Sequence, residues 1–182
     1  MGKISAGDIL PDFVFDTPYE NNCRLSDVAN RVKGKTALVF LRYYGCTLCQ
    51  MDIIGFAEKY ALISQTGGQL LVGLQSAPAK VAESLGEERL PFDILCDPDQ
   101  AVYKLLQIEP AESMDALCDA TSIAKLERMQ SMGLVHGDYE GNELQLPAVF
   151  VVAPDLTVTY ACYGRVATDV PETEELAVLL SE

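Results

Sequence analysis

The run Lys35-Thr36-Ala37-Leu38-Val39-Phe40-Leu41-Arg42-Tyr43 constrains the fold of this chain more than any other segment. Its apolar residues are continuous rather than alternating, the pattern of a strand buried on both faces, and such strands belong to parallel sheets covered by helices. The helix this requires follows at once. From Thr47 to Gln65, Ile53, Ile54, Phe56, Ala57, Tyr60, Ala61 and Ile63 recur at helical spacing until Gly67-Gly68 ends the pattern. A second apolar strand, Gln69 to Leu74, then has to return parallel to the first through a right-handed crossover. The Cys46-Thr47-Leu48-Cys49 motif lies on the turn between that first strand and its helix.

The remaining segments extend this unit. A hairpin is predicted from Asp12 to Asp16 and Asn22 to Leu25, with a turn of helix from Ser26. Next come a helix over Ala79 to Leu85, a strand over Phe92 to Cys96 and a short helix over Asp99 to Leu106. Met114 to Met132 reads as one longer helix whose acidic start suits the positive end of the helix dipole, and the 114–140 region reads as an insertion. Strands Ala148 to Val152 and Thr157 to Tyr163 flank a Pro154-Asp155 turn, and Glu172 to Leu180 closes the chain as a helix. The fold class is α/β: a central mixed sheet flanked by helices, with an N-terminal hairpin extension and a helical insertion. At 182 residues, without repeats or low-complexity tracts, residues 1–182 are expected to form one domain.

Charge excludes some partners. With 13 Lys+Arg against 27 Asp+Glu the net charge is −14, which argues against nucleic acid and anionic membranes. Each apolar stretch falls well short of the roughly 20 residues of a membrane span. The Met-Gly-Lys-Ile-Ser-Ala opening has no apolar core of a signal peptide, so a cytoplasmic protein is expected. In that compartment Cys23, Cys46, Cys49, Cys96, Cys118 and Cys162 read mostly as buried thiols rather than three bridges.

Only Cys46 and Cys49 are close in sequence, and their position has a chemical purpose. Two cysteines three apart can close a small disulfide, and the helix dipole stabilises the thiolate of the first. A structural zinc site needs four ligands, but the chain has no second CxxC and a single histidine, His136. No metal and no organic cofactor is expected. Two inert buried cysteines are the other reading, since cysteine packs readily as a small apolar residue.

The stretch from Phe40 to Cys49 resembles the active-site segment of the peroxiredoxin-like branch of the alkyl hydroperoxide reductase/thiol-specific antioxidant family, in the neighbourhood of selenoprotein U-like proteins. The likeness continues at Gly7 to Phe13, Leu25-Ser26-Asp27, Asp97-Pro98-Asp99 and Leu146 to Val152. It implies a thioredoxin-like fold. Laid on this chain without gaps, the family's Pro-x-x-x-Thr-x-x-Cys pattern places its peroxidatic cysteine at Cys49, its threonine at Cys46 and its proline at Arg42. The family's later arginine falls near Pro147, where a thioredoxin instead carries a cis-proline facing its cysteines.

What the resemblance implies is therefore divided. Disulfide exchange, with Cys46 attacking, Cys49 resolving and the Pro147 backbone pairing with a substrate chain, is the first expectation. It makes Leu146-Pro147 a cis peptide, against the alternative of an ordinary trans proline opening a strand. A thiol peroxidase that oxidises Cys49, or else Cys46, to a sulfenic acid is the enzyme alternative, and a non-catalytic redox sensor or binding module the alternative of another class. Arg42 either supplies the missing positive charge or snorkels to solvent, and Arg165 is a weaker candidate for the same charge. The implied partners are a disulfide protein or a hydroperoxide as substrate and a thiol reductant system. Cys96 and Cys162 are expected as core residues, and His136 as a surface loop residue with no neighbour to make it a general base.

Overall fold

The computed structural model describes residues 2–182. Its five-stranded sheet has the order β5-β4-β3-β6-β7, built from β3 (Thr36–Phe40), β4 (Gln69–Leu74), β5 (Asp93–Cys96), β6 (Ala148–Val152) and β7 (Val158–Tyr163). The apolar run that dominates the sequence is the central strand. β3 runs parallel to β4 and antiparallel to β6, and all five of its residues are buried. β4 and β5 are parallel, and β6 and β7 form the predicted antiparallel hairpin. A separate two-residue pairing joins β1 (Val14–Phe15) to β2 (Cys23–Arg24), as the N-terminal hairpin predicts, and α1 (Leu25–Ala29) follows it.

The alternation of β3 divides the interior into two layers. Ala37, Val39 and Leu41 meet residues of α2 (Thr47–Glu58), α3 (Tyr60–Gln65), α4 (Pro78–Leu85) and α8 (Thr173–Ser181). Leu38 and Phe40 face the N-terminal segment, α1 and α5 (Ala101–Leu105). At the C-terminal end of β3 the buried Tyr103 hydroxyl is hydrogen-bonded to the carbonyls of Leu41, 2.7 Å, and Gly73, 2.9 Å. That bond fixes the point where the chain leaves the sheet to build the cysteine turn.

Two predicted helices are divided, each by a tertiary bond that outweighs local propensity. The helix expected from Thr47 to Gln65 breaks at Lys59 (φ −109°, ψ 14°). There the Gly55 carbonyl, which accepts the Lys59 N–H, also takes a bond from the Thr173 hydroxyl of α8. The helix expected from Met114 to Met132 is split into α6 (Met114–Leu117) and α7 (Ala120–Ser131). Between them Cys118 is extended, and Asp119 and Ser122 cap each other's backbone N–H groups to restart the helix. The Leu117 carbonyl is taken instead by the Ala167 N–H at 2.8 Å. Among the described residues no helix is long and apolar enough to cross a membrane.

Candidate active site

Cys46 is the N-cap of α2 and Cys49 lies in its first turn. Because Cys46 has extended backbone (φ −67°, ψ 122°), its side chain turns back over the helix end and its sulfur accepts the Cys49 N–H at 3.4 Å. Arg42, at the end of the apolar strand run, reaches the same sulfur with Nη2 at 3.0 Å. Its other terminal nitrogen, Nη1, donates to the Glu143 carbonyl at 3.1 Å, so the guanidinium is held from two sides. The half-buried Arg42 side chain is turned towards the Cys46 sulfur rather than out to solvent. Arg165 does not reach the cysteines; its side chain is 92% exposed and lies by Asp169.

These contacts separate the two thiols. Burial acts to raise the pKa of Cys46, but the Cys49 thiol, the Arg42 charge and the Cys49 N–H together bring it down to about 7. Burial, and then the neighbouring Cys46 sulfur, push Cys49 well above the ordinary thiol value. The pair therefore holds one thiolate and one thiol near neutral pH, with the thiolate on the residue at the helix N-terminus. That arrangement can attack an electrophilic sulfur or oxygen and then close on itself.

The nucleophile is enclosed. Cys46 is only 1% exposed, because residues 134–143 run across the cysteine turn as a strap. The Gly137 N–H donates to the Gly45 carbonyl at 2.8 Å, and Gln50 Nε2 donates to that carbonyl at 3.1 Å. Lys80 pairs with Asp138 at 3.0 Å, the Ser76 hydroxyl donates to Glu140 at 2.8 Å, and the Asn142 N–H donates to Gln75 Oε1 at 2.8 Å. Gly45 permits this approach, since a Cβ there would overlap the Asp138 carbonyl.

The strap also brings in residues that no local pattern joins to the cysteines. His136, expected as a surface loop residue with no neighbour to make it a general base, has Nε2 3.1 Å from the hydroxyl of the fully buried Tyr43, and its ring stacks on Tyr139 with centroids 4.2 Å apart. Burial, and then Glu143, push the Tyr43 hydroxyl well above the ordinary phenol value. Their one sequence signal was that His136 is the sole histidine; its separation of 93 positions from Tyr43 hides the contact. Among the described residues no three His, Cys, Asp or Glu side chains gather in a way that would hold a metal ion.

Residues 6–161 match the AhpC/TSA family. The chain belongs to that family. Like other members it is a thiol-dependent redox enzyme of peroxiredoxin-like type. Among curated proteins none matches the sequence. Among solved structures, the peroxidoxin BcpB from Mycobacterium tuberculosis superposes with a TM-score of 0.66 at 14% identity, covering 97% of this chain and 96% of that one. The thiol peroxidase from Chromobacterium violaceum gives a TM-score of 0.64 at 15% identity, covering 98% and 87%. A Chlorobium tepidum protein described as a thiol:disulfide interchange protein, DsbE, gives 0.61 at 16% identity, covering 97% and 96%. At these identities the likeness is one of fold.

Against the family pattern the structure corrects one expectation. Leu146-Pro147 is trans, and no peptide bond among the described residues is cis. Gln145 Nε2 reaches the carbonyls of Leu146, Ile108 and Glu109, which holds this segment in its extended approach to β6. The Pro147 carbonyl, expected to pair with a substrate chain, accepts the Gly164 N–H at 2.8 Å. Cys96 is buried as expected, whereas Cys162, on the edge strand β7, is only half-buried.

Proposed function

We propose that this AhpC/TSA protein is a thiol-disulfide oxidoreductase that cycles Cys46 and Cys49 between dithiol and disulfide, with Cys46 as the nucleophile. The observation that carries this reading is the Cys46 sulfur held between Arg42 Nη2 at 3.0 Å and the Cys49 N–H at 3.4 Å. Both donors favour the thiolate over the thiol. The Cys46 thiolate attacks one sulfur of a substrate disulfide, forming a mixed disulfide and releasing the first substrate sulfur, which takes up a proton. Cys49 then loses its proton and attacks the Cys46 sulfur; the second substrate thiol leaves and the Cys46-Cys49 disulfide remains. A dithiol reductant, of the thioredoxin or glutathione kind, returns the pair to its reduced state. Residues 1–182 act as one unit in this reading, and the buried thiols of Cys23 and Cys96 fit a reducing, cytoplasmic compartment.

A second reading, reduction of a hydroperoxide, is favoured by the enclosure of Cys46 and by the guanidinium against it. There the thiolate attacks the terminal peroxide oxygen, the O–O bond breaks and the alcohol or water leaves with a proton; Cys49 then attacks the resulting sulfenic acid and closes the disulfide with loss of water. One experiment separates the two. Wild type, Cys46→Ser and Cys49→Ser are assayed for reduction of a protein disulfide and for consumption of hydrogen peroxide. Loss of disulfide reduction in both variants, without peroxide turnover above that of a free thiol, supports disulfide exchange. Rapid peroxide consumption that survives Cys46→Ser but not Cys49→Ser contradicts the assignment of the nucleophile.

A further inference from the structure

Half of the large apolar side chains that stay exposed among the described residues belong to positions 114–139, a seventh of the chain. Two of them, Val135 at 77% exposure and Tyr139 at 71%, stand on the strap that covers Cys46. The core does not explain them, since Met129 and Leu134 already anchor this region to it. Both are nevertheless held in place. Gln50 Nε2 donates to the Val135 carbonyl at 3.4 Å, and the Tyr139 ring stacks on His136, whose Nε2 lies 3.1 Å from the Tyr43 hydroxyl. Apolar side chains exposed on a fixed backbone lose little freedom when a partner covers them.

Beside the strap lies a cavity of about 280 Å³ whose walls include Tyr44, Gly45, Lys80, Glu83, Asp138 and Glu140. Lys80 is the one cation among these, and it is already paired with Asp138 at 3.0 Å. The exposed Glu83, and the Glu140 carboxylate that accepts the Ser76 hydroxyl and the Ala77 N–H, leave the wall negative. The half-buried Tyr44 ring adds a face on which an ammonium or guanidinium can lie. Through Gly45 the cavity adjoins the cysteine turn, and through Asp138 it adjoins Tyr139 on the strap. A second copy of this chain is the wrong partner for such a surface, because each copy carries a net charge of −14.

We propose that the outer face of the strap and this cavity form the docking surface for a basic, apolar polypeptide segment that carries the disulfide attacked by Cys46. The proposal rests on Cys46 being the nucleophile in disulfide exchange. A Lys or Arg side chain of the segment enters the cavity among Tyr44, Glu83 and Glu140, and an apolar side chain covers Val135 and Tyr139. The Lys80–Asp138 pair ties the strap to α4 and also forms part of the cavity wall. A cation seated there competes with Lys80 for Asp138, which loosens the strap over the enclosed sulfur, and exposed ion pairs of this kind are weak enough to exchange.

The test varies charge and apolar character while the reaction stays the same. In a Cys49→Ser background, reduced protein is mixed with disulfide-linked dimers of a one-cysteine peptide, and mixed-disulfide formation at Cys46 is followed by mass spectrometry. The peptide carries Leu and Arg beside its cysteine, Leu and Glu, or Ser and Arg, and bis(2-hydroxyethyl) disulfide is the small reference. Each rate is divided by that of the same disulfide with 2-mercaptoethanol, which removes intrinsic differences in reactivity. The peptide with Leu and Arg is expected to react about tenfold faster than that with Leu and Glu and about threefold faster than that with Ser and Arg. High salt is expected to shrink the first preference. Glu83→Lys is expected to abolish the preference for Arg, and Val135→Ser the preference for Leu, with the rate on the small disulfide kept within about twofold. Equal rates on the three peptides, or the same loss in the variants on peptide and small disulfide, overturn the docking surface. A wild-type dimer that Val135→Ser disperses overturns it as well, since a second copy then covers the strap. Failure of Cys49→Ser to react at Cys46 with any of these disulfides overturns the nucleophile assignment instead.

Discussion

A buried thiol ordinarily becomes less acidic, and Cys46 goes the other way because of what touches its sulfur. Arg42 supplies the only full charge among those contacts, so Arg42→Met should raise the pH midpoint of Cys46 alkylation from about 7 by on the order of one unit. Alkylation by iodoacetamide between pH 5 and 10, read by mass spectrometry of the Cys46 peptide, measures it. The same ionisation acts on stability. The folded protein releases this proton at about 7 and the unfolded chain near the ordinary 9.0, so the unfolded state binds more protons between those values. Stability contributed by Cys46 therefore rises from pH 7 towards 9 and is lost as pH falls through 7. The urea-unfolding difference between reduced wild type and Cys46→Ser should widen by roughly 2 kcal/mol from pH 6 to 8.5. At this scale the sequence was informative about Cys46, Cys49 and Arg42, which lie within eight positions of one another. It was silent about Tyr43, His136 and Glu143, whose meeting depends on where a loop returns.

Elements explain which of those returns are rigid. The Asp52–Lys125 pair, 3.3 Å apart with both side chains largely buried, joins α2 to α7. Burial, with a smaller contribution from Glu172, pushes the Asp52 carboxyl up to about 6 against the pull of Lys125. Its desolvation is thus only partly offset. Lys125→Met alone should destabilise by about 2 kcal/mol, whereas Lys125→Met with Asp52→Leu should come close to wild type, as buried ion pairs replaced by apolar residues usually do. Chemical denaturation of the single and double variants checks both. Strand positions were readable because β3, β4 and β6 are continuous apolar runs, a pattern that survives any tertiary arrangement. The breaks at Lys59 and Cys118 were not, since they arise from bonds to Thr173 and Ala167 far along the chain. The strap depends on Gly45 in the same way. Gly45→Ala places a Cβ against the Asp138 main chain and should lift the strap, raising the alkylation rate of Cys46 several-fold. A slower or unchanged rate would show that the strap does not limit access.

For the molecule as a whole, an α/β frame typical of the AhpC/TSA family carries a cysteine pair whose first member sits under a strap drawn from the 114–140 region and its continuation. The frame was legible from the order of apolar runs and turns. The enclosure was not, because the segment covering Cys46 is polar, irregular and about 90 positions away from it. Leu146-Pro147 is trans, and the Pro147 carbonyl already accepts the Gly164 N–H. The central claim is that Cys46 attacks and Cys49 resolves. It is tested most directly by reacting Cys49→Ser and Cys46→Ser separately with a disulfide peptide at pH 7 and mapping the trapped mixed disulfide by mass spectrometry. A stable adduct is expected at Cys46 in Cys49→Ser, and little or none at Cys49 in Cys46→Ser. A rapid, stable adduct at Cys49 with Cys46 absent would contradict it.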